Sequence, residues 1–547
     1  MKLEKSLSSA VIVVALASAL PMLPITVFAT EKHWLGTDAT SPTLASVGAN
    51  WSPAGVPTSA DDVVLDSGSN NNPMTWDLDN GVASWTQSDY TGTVTFKTGT
   101  TYGSYTCYGV LQADGTRALE ISGNLTLSSG TWTHEQTPTM TSTMKTQDLY
   151  KKGFGIYRLI VKVGGDCTIG AAATFNVDGK GFPASSGPGY RSDGSASHGG
   201  FGGKNYDPET NPVYVYGSTK APVSIGSGRT TAGGGAVKLS VVGTLTLDGE
   251  ITAISPKTGL YPGSGGSVWI LAASLAGAGS VSVDGGSGTG SGSGSGSGGG
   301  GRAAVYLTGD GSSFSSFTGK ITSENTSNYG TCGTVYLETA ADDGAGRLIL
   351  ACGTNASTSH KLGTITGLCT PLKAGDSPDF RFSEVKLDNW SNLGIMPNVT
   401  ATVVSVSATQ TGRNFITLYG GALKLDGTGG DFALSGATLR TYTAASHISV
   451  GAAAEGAFNL ASGASLILNV PTTIGGKLVA SGAVRLGADV TVTDFQLSAW
   501  ATIYLDGNKL KVTDPDKSKS QSILGTVDMG DGGEIVWGRR ALVIIVR

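Results

Sequence analysis

Apolar and polar residues alternate with a period of two along most of this chain, and the alternation breaks repeatedly at Gly, Asp or Asn. The segments "DDVVLD", "GTVTFKT", "RLIVKVGG", "AVKLSVVGTLTLDGEI", "SVWIL", "AAVYL", "TVYLET" and "ATIYLDG" each predict a short strand closed by a turn. Only "TMKTQDLYKKG" predicts a helical turn or two. The pattern is that of an all-β protein.

The strand–turn unit repeats. Strands close on [Val/Leu]-Asp-Gly at Asp178, Asp248, Asp284, Asp426 and Asp506, where the Asp side chain is expected to fold back on its own turn. A second recurring element is Gly-Gly before an alternating strand, and aligning these strands on their valines puts Val237, Val268, Val305 and Val335 in register, at intervals of 31, 37 and 30 residues. The Gly/Ser run between Val283 and Leu307 has shorter counterparts, "GSGRTTAGGG" and "PGSGGS", in neighbouring units. Recurrence in phase reads as a loop thrown out from one continuous fold, not a tether between domains. Short strands stacked coil on coil predict a single-stranded parallel β-helix, a β-solenoid with long Gly-rich loops. A propeller or paired sandwiches are the alternatives, and both tolerate drifting unit lengths less well.

Composition sharpens this picture. Gly makes up 83 of 547 residues, yet 39% are hydrophobic, too many for a disordered low-complexity chain. Residues 1–29 read as a signal peptide: the basic "MKLEK", the apolar "AVIVVALASAL", then Val27, Phe28 and Ala29 before the expected cleavage. The mature chain is expected outside the cell or on its surface, and no second apolar run is long enough to span a bilayer. The remainder divides into capping strands and first coils over 30–135, a Gly-rich core with long loops over 136–345, and solenoid repeats with a terminal strand over 346–547. A net charge of −5 without a basic cluster excludes a nucleic-acid partner. Five cysteines without a CxxC pair and five scattered histidines give no metal site. Cys332 and Cys352 stand one coil apart, which leaves stacking or cross-linking open in an oxidising compartment.

The ordered motifs "SHGGFGG", "YGS", "GSGRTTAGGGAVKL", "GTLTLDGEITA", "GSGGSVWI", "LAGAGSVSVDGG" and "GGGGRAAVYL" resemble the glycine-rich parallel β-helix repeats of bacterial cell-surface proteins, over about Gly164 to Leu337. The resemblance implies a right-handed, pectin-lyase-like solenoid and no single activity. "NWSPAGVPTSADDVVLDSG" and the strands from Gly420 onward are similar to autotransporter-type passengers, although a translocating barrel is missing.

Catalytic chemistry is not written in the chain. The carboxylate pairs Asp61/Asp62, Asp342/Asp343, Asp376/Asp379 and Asp514/Asp516 sit in turn-like contexts, and adjacency alone does not aim two carboxylates at one cleft. The acid, histidine and basic motifs of polygalacturonases do not occur together, and "DGTGGDFAL" is one imperfect copy of a calcium-binding repeat. No catalytic residue, cofactor or metal is assigned. Two surfaces remain. If the valines point inward, Trp269, Tyr306 and Tyr336 point outward and stack, with Lys238 at the end of their column, either as a ladder for sugar rings or as packing beneath loops. The insertion from Gly181 to Gly228 gathers Tyr190, Arg191, His198 and Tyr206, either as a glycan-binding loop or as a lid. The expected function is an exported structural scaffold or adhesin with weak glycan binding, its partner an extracellular polysaccharide or cell-surface component. A polysaccharide lyase or glycoside hydrolase, and a filament or surface-layer subunit, are the alternatives.

Overall fold

The computed structural model describes residues 29–538 except 204–213, 289–295, 326–329, 354–368, 410–413, 426–430, 435–436, 442–446, 451–456, 461, 463–464, 469–470 and 515–522. Residues 1–28 of the expected signal peptide, Tyr206, the centre of the Gly/Ser run, "DGTGG" and the tail "ALVIIVR" lie outside the described residues. The alternating segments form strands. Leu159–Val163, Ala236–Val241, Ser267–Ala272, Arg302–Leu307 and Thr334–Thr339 lie side by side in parallel, each paired residue against residue with the next. Two single-turn α-helices, Ser142–Lys145 and Asp148–Lys151, occupy the segment where helical turns are expected. The chain is all-β with predominantly parallel pairing, and its strands fall into several sheets.

The register differs from the valine alignment at one rung. Val237 faces Val268, Val268 faces Ala303 and Ala303 faces Val335, while Val305 stands two residues farther along, opposite Ile270 and Leu337. All four valines still point inward and are buried, because a shift of two residues preserves the face. Glycine, not valine, sets the register. A Cβ on Gly266 would lie 1.9 Å from the Gly235 carbonyl oxygen, one on Gly301 2.1 Å from that of Gly266, and one on Gly333 1.7 Å from that of Gly301. These four glycines form a column in which backbone presses on backbone with no room for a side chain.

The Gly-rich stretches are packed layers where they are described. Residues 296–301 are buried. Gly200 N–H donates to the Gly300 carbonyl (2.7 Å), Gly299 to Ala196 (3.0 Å) and Gly265 to Gly299 (3.0 Å). Gly301 N–H also donates to the Val283 carbonyl at 2.7 Å, so the two ends of the long run are bonded to each other. The Asp-Gly turns differ from expectation as well. Three of their carboxylates reach the following repeat: Asp178 accepts from Ile254 N–H (2.8 Å), Asp248 from Ala278 (3.0 Å) and Asp284 from Glu324 (2.7 Å), although Asp284 also accepts from Ser282 Oγ at 2.8 Å. These three turns thereby latch one repeat onto the next.

Two apolar cores fill the structure. One begins at Trp34, Trp51, Trp76, Trp85 and Trp132, where Trp132 stacks on Phe175 at 5.2 Å, and runs on to Val335. The other runs from Ala304, Tyr336 and Leu348 to Val512. They lie on opposite faces of shared strands. Val335 belongs to the first core and its neighbour Tyr336 to the second, and the exchange falls where Thr334–Thr339 meets Arg347–Ala351 in an antiparallel pair. Beyond that point parallel pairing resumes, with Leu393, Ile416, Leu439, Leu466, Val484, Ile503 and Val527 in one file.

Candidate functional site

The outward residues of the first sheet form two columns. One holds Ile160, Lys238, Trp269, Ala304 and Tyr336 in successive strands, and the other Lys162, Ser240, Leu271, Tyr306 and Glu338. Lys238 and Trp269 are therefore direct partners, and the Lys238 ammonium sits 4.5 Å from the centre of the indole. Trp269, Tyr306 and Tyr336 share the outward face but not one column, because the two-residue shift moves Tyr306 sideways. Tyr306 and Tyr336 remain ring neighbours at 5.7 Å.

Trp269 and Lys238 open into a groove of about 480 Å³, closed at its sides by Phe154, Arg158, Asp114, Thr100 and Val223. Its floor is the sheet, and its rim comes from the helical turn region and from the segment before Ala236. Arg158 lies over Phe154 at 5.5 Å and donates from Nη2 to Thr100 Oγ1 (2.8 Å). Arg158 Nε and Trp269 Nε1 are buried and carry no hydrogen bond. Burial lowers Arg158 to about 10 and also lowers Lys238. Asp114 is held low first by the Thr116 hydroxyl (2.6 Å), with Lys238 and Arg158 adding smaller contributions. Two cations, one carboxylate and an indole suit a ligand with apolar ring faces and peripheral oxygen acceptors. A second groove of about 480 Å³ adjoins it on the same face, lined by Lys162, Glu120, Ser240, Val242 and Leu271.

The other sequence-predicted residues are engaged elsewhere. Tyr336 is fully buried, accepts from Gly346 N–H (2.9 Å) and donates to Glu338, while Lys220 lies over its ring at 5.4 Å. Tyr306 donates to the Lys220 carbonyl (2.8 Å) and packs, with Trp269, against the edge of the second core. Arg191 pairs with Asp193 (3.0 Å) and lies over Phe201 and Tyr214; His198 is fully buried, with Nδ1 bonded to the Gly265 carbonyl at 2.8 Å. Tyr190 carries Arg229 over its ring at 5.6 Å. The insertion is thus packed down over the glycine layers, and its described aromatic residues are largely committed to internal contacts.

Sequence reasoning missed Arg158, Phe154 and Asp114. Arg158 was within reach, because alternation through "RLIVKV" puts Arg158, Ile160 and Lys162 on the face of Lys238. Phe154 and Asp114 arrive from connecting segments whose docking no period announces. A further cluster missed by the sequence joins Arg302, Lys220 and Lys373 to Asp376 and Asp379 beneath the segment 214–224. Arg302 is wholly buried, donating to Tyr216 O (3.0 Å), Thr219 Oγ1 (3.1 Å) and Thr334 Oγ1 (3.2 Å). This ties three segments together without opening to solvent. Burial raises Asp376 despite the neighbouring Arg302 and Lys373.

Among the described residues no group of three or more His, Cys, Asp or Glu is placed to hold a metal ion, and no helix is long and apolar enough to cross a membrane. No protein-family model matches the sequence, and no curated protein and no solved structure matches the chain.

Proposed function

We propose that this chain is an exported single-stranded parallel β-helix, right-handed as its glycine-rich motifs imply, that serves as a surface scaffold or adhesin and holds a glycan in the Trp269 groove. Stacked parallel strands, inter-coil Asp latches and a continuous glycine column support the solenoid reading. The observation that carries the binding reading is the Lys238–Trp269 pair in a groove large enough for a sugar ring. An indole face receives the CH-rich face of a pyranose, and the Lys238 ammonium takes its hydroxyl or carboxyl oxygens. Of the carboxylate pairs in the sequence, Asp61 accepts from Thr58, Asp342 from Thr339, and Asp379 pairs with Lys220.

The test is retardation of the purified mature protein in gels containing uronate or neutral polysaccharides, beside assays for reducing ends and unsaturated products. The expected result is retention on at least one polysaccharide without turnover. Trp269→Ala should bind about tenfold more weakly, ~1.4 kcal/mol, with an unchanged circular dichroism spectrum. Retention by none of them, equal retention of Trp269→Ala, or sustained product release would each overturn the reading.

A further inference from the structure

We propose that Cys332 and Cys352 form a disulfide that staples the junction where the core changes sides. The antiparallel register pairs Leu337 with Arg347, Tyr336 with Leu348 and Val335 with Ile349. Carried three residues farther, the same register sets Cys332 directly opposite Cys352. Opposed residues in antiparallel strands lie with Cα atoms ~4.5–5.5 Å apart, inside the ~4.4–6.8 Å that a disulfide spans. Both side chains point to the face of Tyr336, Leu348 and Leu350, and both are buried, at 1% and 2% exposure. Burial, with the neighbouring Cys352 thiol adding to it, raises the Cys332 thiol, and the Thr370 hydroxyl lies 3.8 Å from Cys332 Sγ. No other apolar cluster holds two cysteines: Cys107, Cys167 and Cys369 each lie in a different one.

The bond forms by two exchanges with a disulfide donor, an oxidase disulfide or glutathione disulfide. One cysteine thiolate attacks the donor and releases a donor thiolate. The second cysteine thiolate then displaces the other donor sulfur. The two cysteines lose two protons and two electrons, and the donor disulfide is reduced to two thiols. Burial holds the Cys332 thiol protonated in the finished fold, so exchange takes place before the core closes. The product encloses the exposed turn at Ala340, Ala341 and Asp343 and links Thr334–Thr339 covalently to Arg347–Ala351. In the cell this rests on the export reading, because only an oxidising compartment supplies the donor.

The test is cell-free synthesis of the full chain with glutathione disulfide present during folding, then alkylation under denaturing conditions and peptide mass mapping. The expected result is three alkylated cysteines of the five and a Cys332–Cys352 peptide pair two hydrogens lighter than its reduced form. Cys352→Ala should leave Cys332 alkylated, and Cys107→Ala should leave the bridge intact. Five alkylated cysteines, or a bridge from Cys332 to Cys369, would overturn the proposal. A bridge formed in vitro but lacking in protein recovered from the producing cells would refute export and leave the pairing standing.

Discussion

His134 and His198 are imidazoles sealed inside the protein. His134 donates from Nδ1 to the Glu135 carbonyl (2.8 Å) and accepts at Nε2 from Ala236 N–H (3.3 Å), an arrangement only the neutral ring allows. Burial lowers both histidines to about 3, with Arg302 adding to the effect at His198. A folded-state value below the unfolded one means that stability is complete above about pH 6.5. It declines as acid protonates the unfolded chain first. Each histidine contributes a slope of about 1.4 kcal/mol per pH unit, running from about pH 6.5 down towards pH 3. Urea midpoints at pH 7.5, 6 and 5 check this: a level response above neutrality and a fall below it is expected. His198→Gln should remove one histidine's share of the slope, and equal midpoints at all three values would contradict the assignment.

At the scale of the strand, the glycine column decides which residues meet. Gly301→Ala would drive a methyl group to within 2.1 Å of the Gly266 carbonyl oxygen, and neither backbone can retreat without breaking its sheet bonds. The expected loss is ~3 kcal/mol in chemical denaturation, whereas Gly311→Ala, with nothing within 4 Å of its added Cβ, meets no packing obstacle and loses less, its positive φ being the main cost. Equal losses would remove glycine as the source of register. The same column explains what could be read beforehand. Alternation identified the strands, their inward valines and the Lys238–Trp269 contact, since period two fixes the face of every side chain. It misplaced Val305 because the alignment rests on valine, which is interchangeable along an apolar face, and not on the glycine that recurs before each strand and has no room for a side chain. The change of core was hidden for a related reason. "TVYLET" is apolar on both faces, with Val335 serving one core and Tyr336 the other, so its pattern names no single interior. The groove was half legible, as Trp269 and Lys238 lie on strands while Phe154 and Asp114 come from connections.

At the scale of the whole molecule, the glycine-rich stretches are structural layers lying against the strands. Gly200, Gly265, Gly299 and Gly300 bond to one another or to adjacent segments, and Gly301 closes on Val283. This layer bears the insertion that carries Arg191 and His198, and that insertion covers Arg302. The outer face carries one groove at Lys238 and Trp269 and another at Lys162 and Leu271. The proposed scaffold and its groove therefore require that the described flank of the Gly/Ser run be fixed in place. Hydrogen–deuterium exchange of the intact protein, followed by mass spectrometry of peptides spanning 296–301, measures this directly. Slow exchange, comparable with that of Arg302–Leu307, is the predicted result; complete exchange at the earliest time point would contradict it.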